Sequence, residues 1–227
     1  FRQKRHRIEK DVWRTDREHP LYKDKEGEGL KTLYDILMTY CFFNWDLGYV
    51  QGMNDLLSPL LILMKNPTDT FWCFKGLMDE MAKNFDKDQI GMRTQLMQLS
   101  RLVRVLDRQL YDYLEKVECL NMFYCFRWIL IAFKREFASS QVAIIWESCW
   151  AHTCPHMHLF VAAAILIKFR GVIMTQEMKF DNLLQFTNGL ARKLDHIGLL
   201  ESAEGLYLSF LKEDDAIKER VFDVDKQ

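Results

Sequence analysis

Apolar residues recur with a helical period along almost the whole chain. Leu30, Leu33, Tyr34, Leu37, Tyr40 and Cys41 follow the i, i+3, i+4, i+7 rule and predict an amphipathic helix ending near Asn44. A turn at Asp46, Leu47 and Gly48 leads into a second apolar run, 49–64, interrupted by Pro59. Asn66 and Pro67 close that run, and Thr68 or Asp69 is the expected N-cap of a helix reaching about Phe85. Leu96, Leu99, Leu102, Val103, Leu106 and Leu110 mark a long helix, bent or broken around Asp107. Further helices are expected at about 120–134, 139–152, 157–170, 180–195 and 198–212. The segment 157–170 is apolar nearly all round and is expected at the centre of the fold. The fold class that follows is all-α: a compact multi-helix array without a sheet.

Composition narrows this further. The 227 residues include only 10 glycines and 4 prolines, too little turn punctuation for a sandwich or barrel. An apolar fraction of 49% excludes intrinsic disorder, and a chain of this length can bury about 70% of its unfolded surface, which leads us to expect one domain. Basic and acidic residues number 31 and 32, a balance that argues against a dedicated nucleic-acid binder or a polybasic membrane module. The uncharged stretch Ser148–Ile167 is long enough to span a bilayer but carries His152, Pro155, His156 and His158, so no transmembrane insertion is expected. Phe1–Lys10 is basic and lacks the apolar run of a signal peptide. The 6 cysteines stand singly among apolar residues and read as reduced, buried thiols. Segment 213–227 is rich in charge and is expected to fray or to dock weakly.

Four constellations bear on chemistry. Cys149, His152, Cys154, His156 and His158 have the residue types of a zinc site, but their spacing matches neither paired C-x2-C nor a helical H-x3-H, and a helix end followed by a turn at Pro155 accounts for them. No G-x-S-x-G elbow and no cysteine in a basic setting supports a nucleophile triad. No phosphate-cradling glycine loop is present. The fourth is a pair of segments, Ile8-Glu9-Lys10-Asp11-Val12-Trp13-Arg14-Thr15-Asp16-Arg17 and Gly48-Tyr49-Val50-Gln51-Gly52-Met53-Asn54-Asp55. In the first, Ile8, Asp11 and Arg14 succeed one another on one side of a helical turn, although a solvated, charge-laced helix end has the same pattern. In the second, Gln51 stands between an aromatic, two glycines and a methionine at the start of an apolar helix. Its amide is then held in a fixed direction, or is simply solvated at a helix start.

These two segments resemble the signature pair of the TBC-domain family, helical GTPase-activating proteins for Rab GTPases: I-x-x-D-x-x-R at Ile8, Asp11 and Arg14, and Y-x-Q at Tyr49, Val50 and Gln51. Asp69-Thr70-Phe71-Trp72-Cys73-Phe74, Phe126-Arg127-Trp128 with Phe133-Lys134-Arg135-Glu136-Phe137, and Ile145-Trp146-Glu147 are similar to the same family's later stretches. The resemblance covers roughly Arg7 to Leu211 and implies a TBC domain over 1–212 with a charged tail over 213–227. It also implies that the family's usual upstream segment, carrying its own basic and Trp-containing motif, is missing here. By similarity, Arg14 is the arginine finger and Gln51 the glutamine that orients water. Ile8, Asp11, Tyr49, Gly52, Met53 and Asn54 would orient these two or meet the GTPase. The implied partner is a GTP-bound Rab GTPase, which carries the Mg²⁺ and GTP, so the chain needs no metal or cofactor of its own. A cytoplasmic protein recruited peripherally to endomembranes, with a role in vesicle trafficking, follows from the same resemblance. The competing expectation is a helical binding module for a GTPase or adaptor that leaves hydrolysis unchanged.

Overall fold

A computed structural model describes residues 2–222, and among them no strand occurs. The chain forms two compact units, Phe1–Ile90 and Gly91–Gln227.

The first unit opens with α1 (Arg2–Arg14), which buries Ile8, Asp11 and Val12 and carries basic residues elsewhere. A single turn, α2 (Pro20–Lys23), then precedes α3 (Glu28–Phe43). These two approach so closely at Gly29 that a Cβ there would stand 2.1 Å from the Leu21 carbonyl oxygen. Helix α4 (Met53–Met64) starts at Gly52 and buries its first nine residues, including Ser58 and Pro59. Helix α5 (Pro67–Met81) folds back on α4. Its N-cap is Asn66, not Thr68 or Asp69: the Asn66 side chain accepts from the main-chain N–H groups of both those residues, and Pro67 supplies the first helical position. A 3-10 turn, Ala82–Asn84, ends the hairpin. Helix α3 packs against α1, α4 and α5, and the fully buried side chains Ile8, Tyr22, Leu33, Leu56, Leu57 and Phe74 form the core of this unit.

The second unit begins with α6 (Ile90–Leu106) and α7 (Arg108–Lys116). The expected break at Asp107 is present, and its physical reason is a cap: the carboxylate accepts from the Leu110 N–H at 3.0 Å. The helix expected over 120–134 is shorter. A 3-10 turn (Phe123–Cys125) runs into α8 (Phe126–Leu130), and the chain then leaves the helix through left-handed Ala132 (φ 46) and Phe133 (φ 61). The Phe133 N–H reaches back to the Trp128 carbonyl at 2.7 Å, and the Trp146 indole N–H donates to the Ala132 carbonyl at 2.7 Å. Those bonds stop the helix without the glycine that normally signals such an end.

Helix α9 (Ser139–Ala151) and the central α10 (Met157–Lys168) follow. Helix α10 buries all eight residues from Leu159 to Leu166, as its all-round apolar pattern requires. The short α11 (Arg170–Thr175), α12 (Phe180–Gly189) and α13 (His196–Phe210, packed along α10) come next. Asp195 caps α13, accepting from Ile197 and Gly198 N–H, so that helix begins earlier than its apolar periodicity indicated. Part of the charged segment is ordered: α14 (Asp215–Phe222) buries Val221, and the Phe222 ring stacks on His156 with centroids 4.3 Å apart. Residues 223–227 of that segment lie outside the described residues. All 6 cysteines are free; Cys73 is exposed rather than buried, because it sits on the outer face of α5. Among the described residues no helix is long and apolar enough to cross a membrane.

Candidate functional site

Arg14 is the last residue of α1, where its positive charge suits the negative end of the helix dipole. Its side chain is 57% exposed, and one amino group donates to Asp11 Oδ1, one helical turn back. A guanidinium carries five donors, and the Asp11 bond is its one side-chain hydrogen bond among the described residues. Only the arginine end of this pair is exposed, and its consequence is directional: the guanidinium is tethered to a fixed, buried point on α1.

That fixed point is itself built into a ring of hydrogen bonds. Asp11 is only 4% exposed. Its second oxygen, Oδ2, accepts from the Tyr49 hydroxyl at 2.6 Å. The single phenolic proton is shared unequally, since Asn54 Oδ1 lies 3.1 Å from the same hydroxyl and also accepts from the Gly52 N–H at 3.3 Å. Asn54 Nδ2 in turn donates to Thr15 Oγ1 at 3.0 Å, and Thr15 Oγ1 donates to the Asp11 carbonyl at 2.7 Å. The ring thus closes on Asp11, joining the end of α1 to the start of α4. All four side chains are buried, so each bond is made away from competing water. Burial and, next, the Asp11 carboxylate push the Tyr49 hydroxyl far above its ordinary range. Tyr49 therefore remains a donor at every physiological pH.

Gln51 is exposed on the turn immediately before α4. Two left-handed glycines shape that turn, Gly48 at φ 62 and Gly52 at φ 104. At Gly48 a Cβ would meet Lys4 Nζ at 2.1 Å, and Lys4 also lies over the Trp45 ring and within 3.4 Å of the Trp45 carbonyl. Within the turn, Val50 N–H donates to Met53 Sδ at 3.3 Å and Met53 N–H donates to the Val50 carbonyl at 3.2 Å. Held at both ends, the turn leaves the Gln51 amide without a side-chain partner among the described residues and aimed at solvent.

The structure therefore brings all eight residues singled out from sequence into one region of the first unit, with a division of labour. Arg14 and Gln51 are exposed; Ile8, Asp11, Tyr49, Gly52, Met53 and Asn54 are buried. Ile8 and Met53, at 0% exposure, have no surface to offer a partner and belong to the support. Thr15 completes the ring and was not singled out; a polar residue directly after the helix end was the available signal. A second clasp lies alongside: Ser58 Oγ donates to Asp16 Oδ2, and the Tyr22 hydroxyl donates to the Ser58 carbonyl at 2.9 Å.

The Cys/His run over 149–158 does not converge. His152 contacts Glu204 at 3.0 Å, His158 contacts Gln95 at 2.7 Å, and His156 stacks on Phe222. Among the described residues no group of three His, Cys, Asp or Glu side chains could hold a metal ion.

Comparison with known proteins shows to which family this all-helical chain belongs. The model of the Rab-GTPase-TBC domain matches residues 1–174, and the chain belongs to that family. It is 46% identical over 201 residues to TBC1 domain family member 17 of Mus musculus, covering 88% of this chain and 31% of that protein. It is 42% identical over 181 residues to the GTPase-activating protein GYP7 of Saccharomyces cerevisiae, covering 79% of this chain and 24% of that one. The chain thus spans a third or less of the length of these relatives. Among solved structures, the Ypt/Rab-GAP domain of Gyp1p superposes with a TM-score of 0.78 at 27% identity, over 92% of this chain and 74% of that one.

Proposed function

We propose that this chain accelerates GTP hydrolysis by a GTP-bound Rab-family GTPase, with Arg14 as arginine finger and Gln51 as glutamine finger. The observation that carries this reading is the placement of two exposed side chains, Arg14 and Gln51, at the two ends of one buried hydrogen-bonded ring. Phosphoryl transfer to water requires stabilisation of charge developing on the phosphate oxygens and alignment of the attacking water. The guanidinium fork supplies fixed charge and several donors for the first task. A primary amide, with one acceptor and two donors, supplies the second. The ring fixes the separation of these groups before the partner arrives, so little ordering is required when the complex forms. GTP and Mg²⁺ come with the partner, and the chain contributes neither nucleophile nor metal. Action of this kind places the protein in the cytoplasm, recruited peripherally to the vesicle membranes that bear the Rab.

The test is a stimulated-hydrolysis assay across a panel of Rab GTPases, with binding measured on the same samples. Arg14→Ala and Arg14→Lys should both lose most of the stimulation while still binding, since an arginine finger supplied in trans is worth about 10³ to 10⁵ in rate and lysine lacks the planar fork. Gln51→Ala should lose stimulation even where the Rab retains its own glutamine. Stimulation by these variants equal to wild type would overturn the mechanism, and binding without stimulation by the wild-type chain would make it a binding module.

A further inference from the structure

The second unit holds a cavity of about 750 Å³ between α6, α7 and α14, within the size range of small-ligand sites. Its charged lining is Arg101, Arg104, Arg108 and Arg220 against Glu213 and Glu219, an excess of positive charge. Arg101, Arg104 and Arg108 recur at helical spacing across the α6–α7 break, so like charges share one face, an arrangement that opposes folding unless something offsets it. Among the described residues, protein groups offset part of it, and Arg101 and Glu219 both have further partners of their own. Arg101 donates to the Arg220 carbonyl at 3.0 Å, and Arg108 pairs with Asp112 at 2.8 Å. Among the described residues, Arg104 lies over the face of Tyr111, 5.7 Å away, which it shares with Arg108 at 5.5 Å. Neither the Arg104 nor the Arg220 guanidinium has an ion-pair partner among the described residues. Both are exposed at the cavity.

We propose that this cavity binds a compact ligand bearing two or more phosphate groups. Guanidinium forks match phosphate oxygens in geometry, and the two forks of Arg104 and Arg220, facing one cavity from two helices, match a ligand of several charges better than a single carboxylate. The volume exceeds what one phosphate fills, and the apolar side chains of Val105 and Ile217 in the lining can take the face of a carbon ring. Such chemistry is shared by a free inositol polyphosphate and by the head group of a polyphosphorylated lipid. The site lies wholly in the second unit and is independent of the Arg14 and Gln51 reading.

The experiment is calorimetric titration of the chain with inositol 1,4,5-trisphosphate, with myo-inositol and citrate as controls, together with co-sedimentation on vesicles containing phosphatidylinositol 4,5-bisphosphate or charge-matched phosphatidylserine. Saturable trisphosphate binding is expected, weakening with salt. The variant Arg104→Gln/Arg220→Gln should bind at least about tenfold more weakly. Sedimentation selective for the phosphoinositide vesicles, and lost in the variant, assigns the ligand to a lipid head group. Trisphosphate binding without that selectivity assigns it to a soluble phosphate. Should the double substitution perturb the fold, Arg104→Gln alone, at an exposed helix position, carries the same comparison. Binding of citrate as tight as that of the trisphosphate, binding unchanged in the variants, or no saturable binding in either arm would overturn the proposal.

Discussion

The Tyr49 hydroxyl donates to Asp11 Oδ2 across 2.6 Å, and the other oxygen of the same carboxylate receives Arg14. Position is therefore transmitted from the start of α4 to the proposed finger through one carboxylate. Tyr49→Phe removes the donor and keeps the ring shape. A buried hydrogen bond to a charged group contributes about 1.5 to 3 kcal/mol, and the variant should lose stability in that range. Stimulated hydrolysis should fall by roughly ten- to a hundredfold, the effect of misplacing a reacting group by about an ångström, with GTPase binding retained. Denaturation midpoints and single-turnover hydrolysis on one preparation check both. A variant that is less stable yet fully active would show that the ring has no part in catalysis.

Gly52 makes a separate demand. Its φ of 104 lies where a Cβ is strained, and its N–H donates to Asn54 within the ring. Gly52→Ala should cost about 1 to 2 kcal/mol for the backbone alone. It should also swing Gln51 away from its place at the head of α4. The expected outcome is a loss of stimulation larger than that of Ala at an exposed site of α4, read from the same hydrolysis assay. If Gly52→Ala stimulates like wild type, the direction of Gln51 does not depend on this turn.

The two outward side chains and most of their support were legible in the sequence through the resemblance of the I-x-x-D-x-x-R and Y-x-Q segments to the TBC signature pair; spacing alone left a solvated helix end and a solvated Gln51 open. The bond between Asn54 and Thr15 was not, since it joins residues 39 positions apart and neither has a distinctive neighbourhood. The same limit appears in the fold. Long periodic helices such as α3 and α10 were placed within a few residues, whereas α8 ended early because Ala132 and Phe133 adopt left-handed conformations no local signal announces. Helix α14 was read as a weakly docked tail because its apolar residues are few. Long-range contacts hold it, among them Gln98 Nε2 to the Phe222 carbonyl at 2.9 Å, Arg101 to the Arg220 carbonyl, and the Phe222 ring against His156, Phe160 and Phe210.

The segment after α8 depends on a buried ion pair. Glu136 is 0% exposed and receives Arg127 through two parallel bonds of 2.8 and 2.9 Å. Burial raises the pKa of this carboxyl, and Arg127 opposes the rise. Arg127→Leu leaves the carboxylate buried without its main partner and should cost about 3 kcal/mol or more. Arg127→Leu/Glu136→Leu removes both charges and should recover part of that loss, because two apolar groups replace a pair whose desolvation was expensive. Urea unfolding of the three proteins decides it. A double variant less stable than the single would show that the Glu136 carboxylate stabilises the fold through more than its pairing with Arg127.

His158 sets a pH dependence of the second unit. Its Nε2 lies 2.7 Å from Gln95 Oε1, and burial, then the neighbouring His156, lowers its pKa to about 4. In the unfolded chain the same imidazole titrates near 6.5. The folded state therefore holds the neutral form through a window in which the unfolded state takes up a proton. The stability this group contributes is complete above about pH 6.5, declines as pH falls towards 4, and changes no further below that. His158 is half-buried, which moderates the effect, and a loss on the order of 1 to 2 kcal/mol between pH 7 and pH 5 is expected. His158→Leu cannot take up that proton, so its stability should fall less over the same interval. Chemical denaturation of both proteins at the two pH values measures the difference directly. Parallel losses in wild type and variant would mean that His158 is protonated in the folded chain as readily as in the unfolded one.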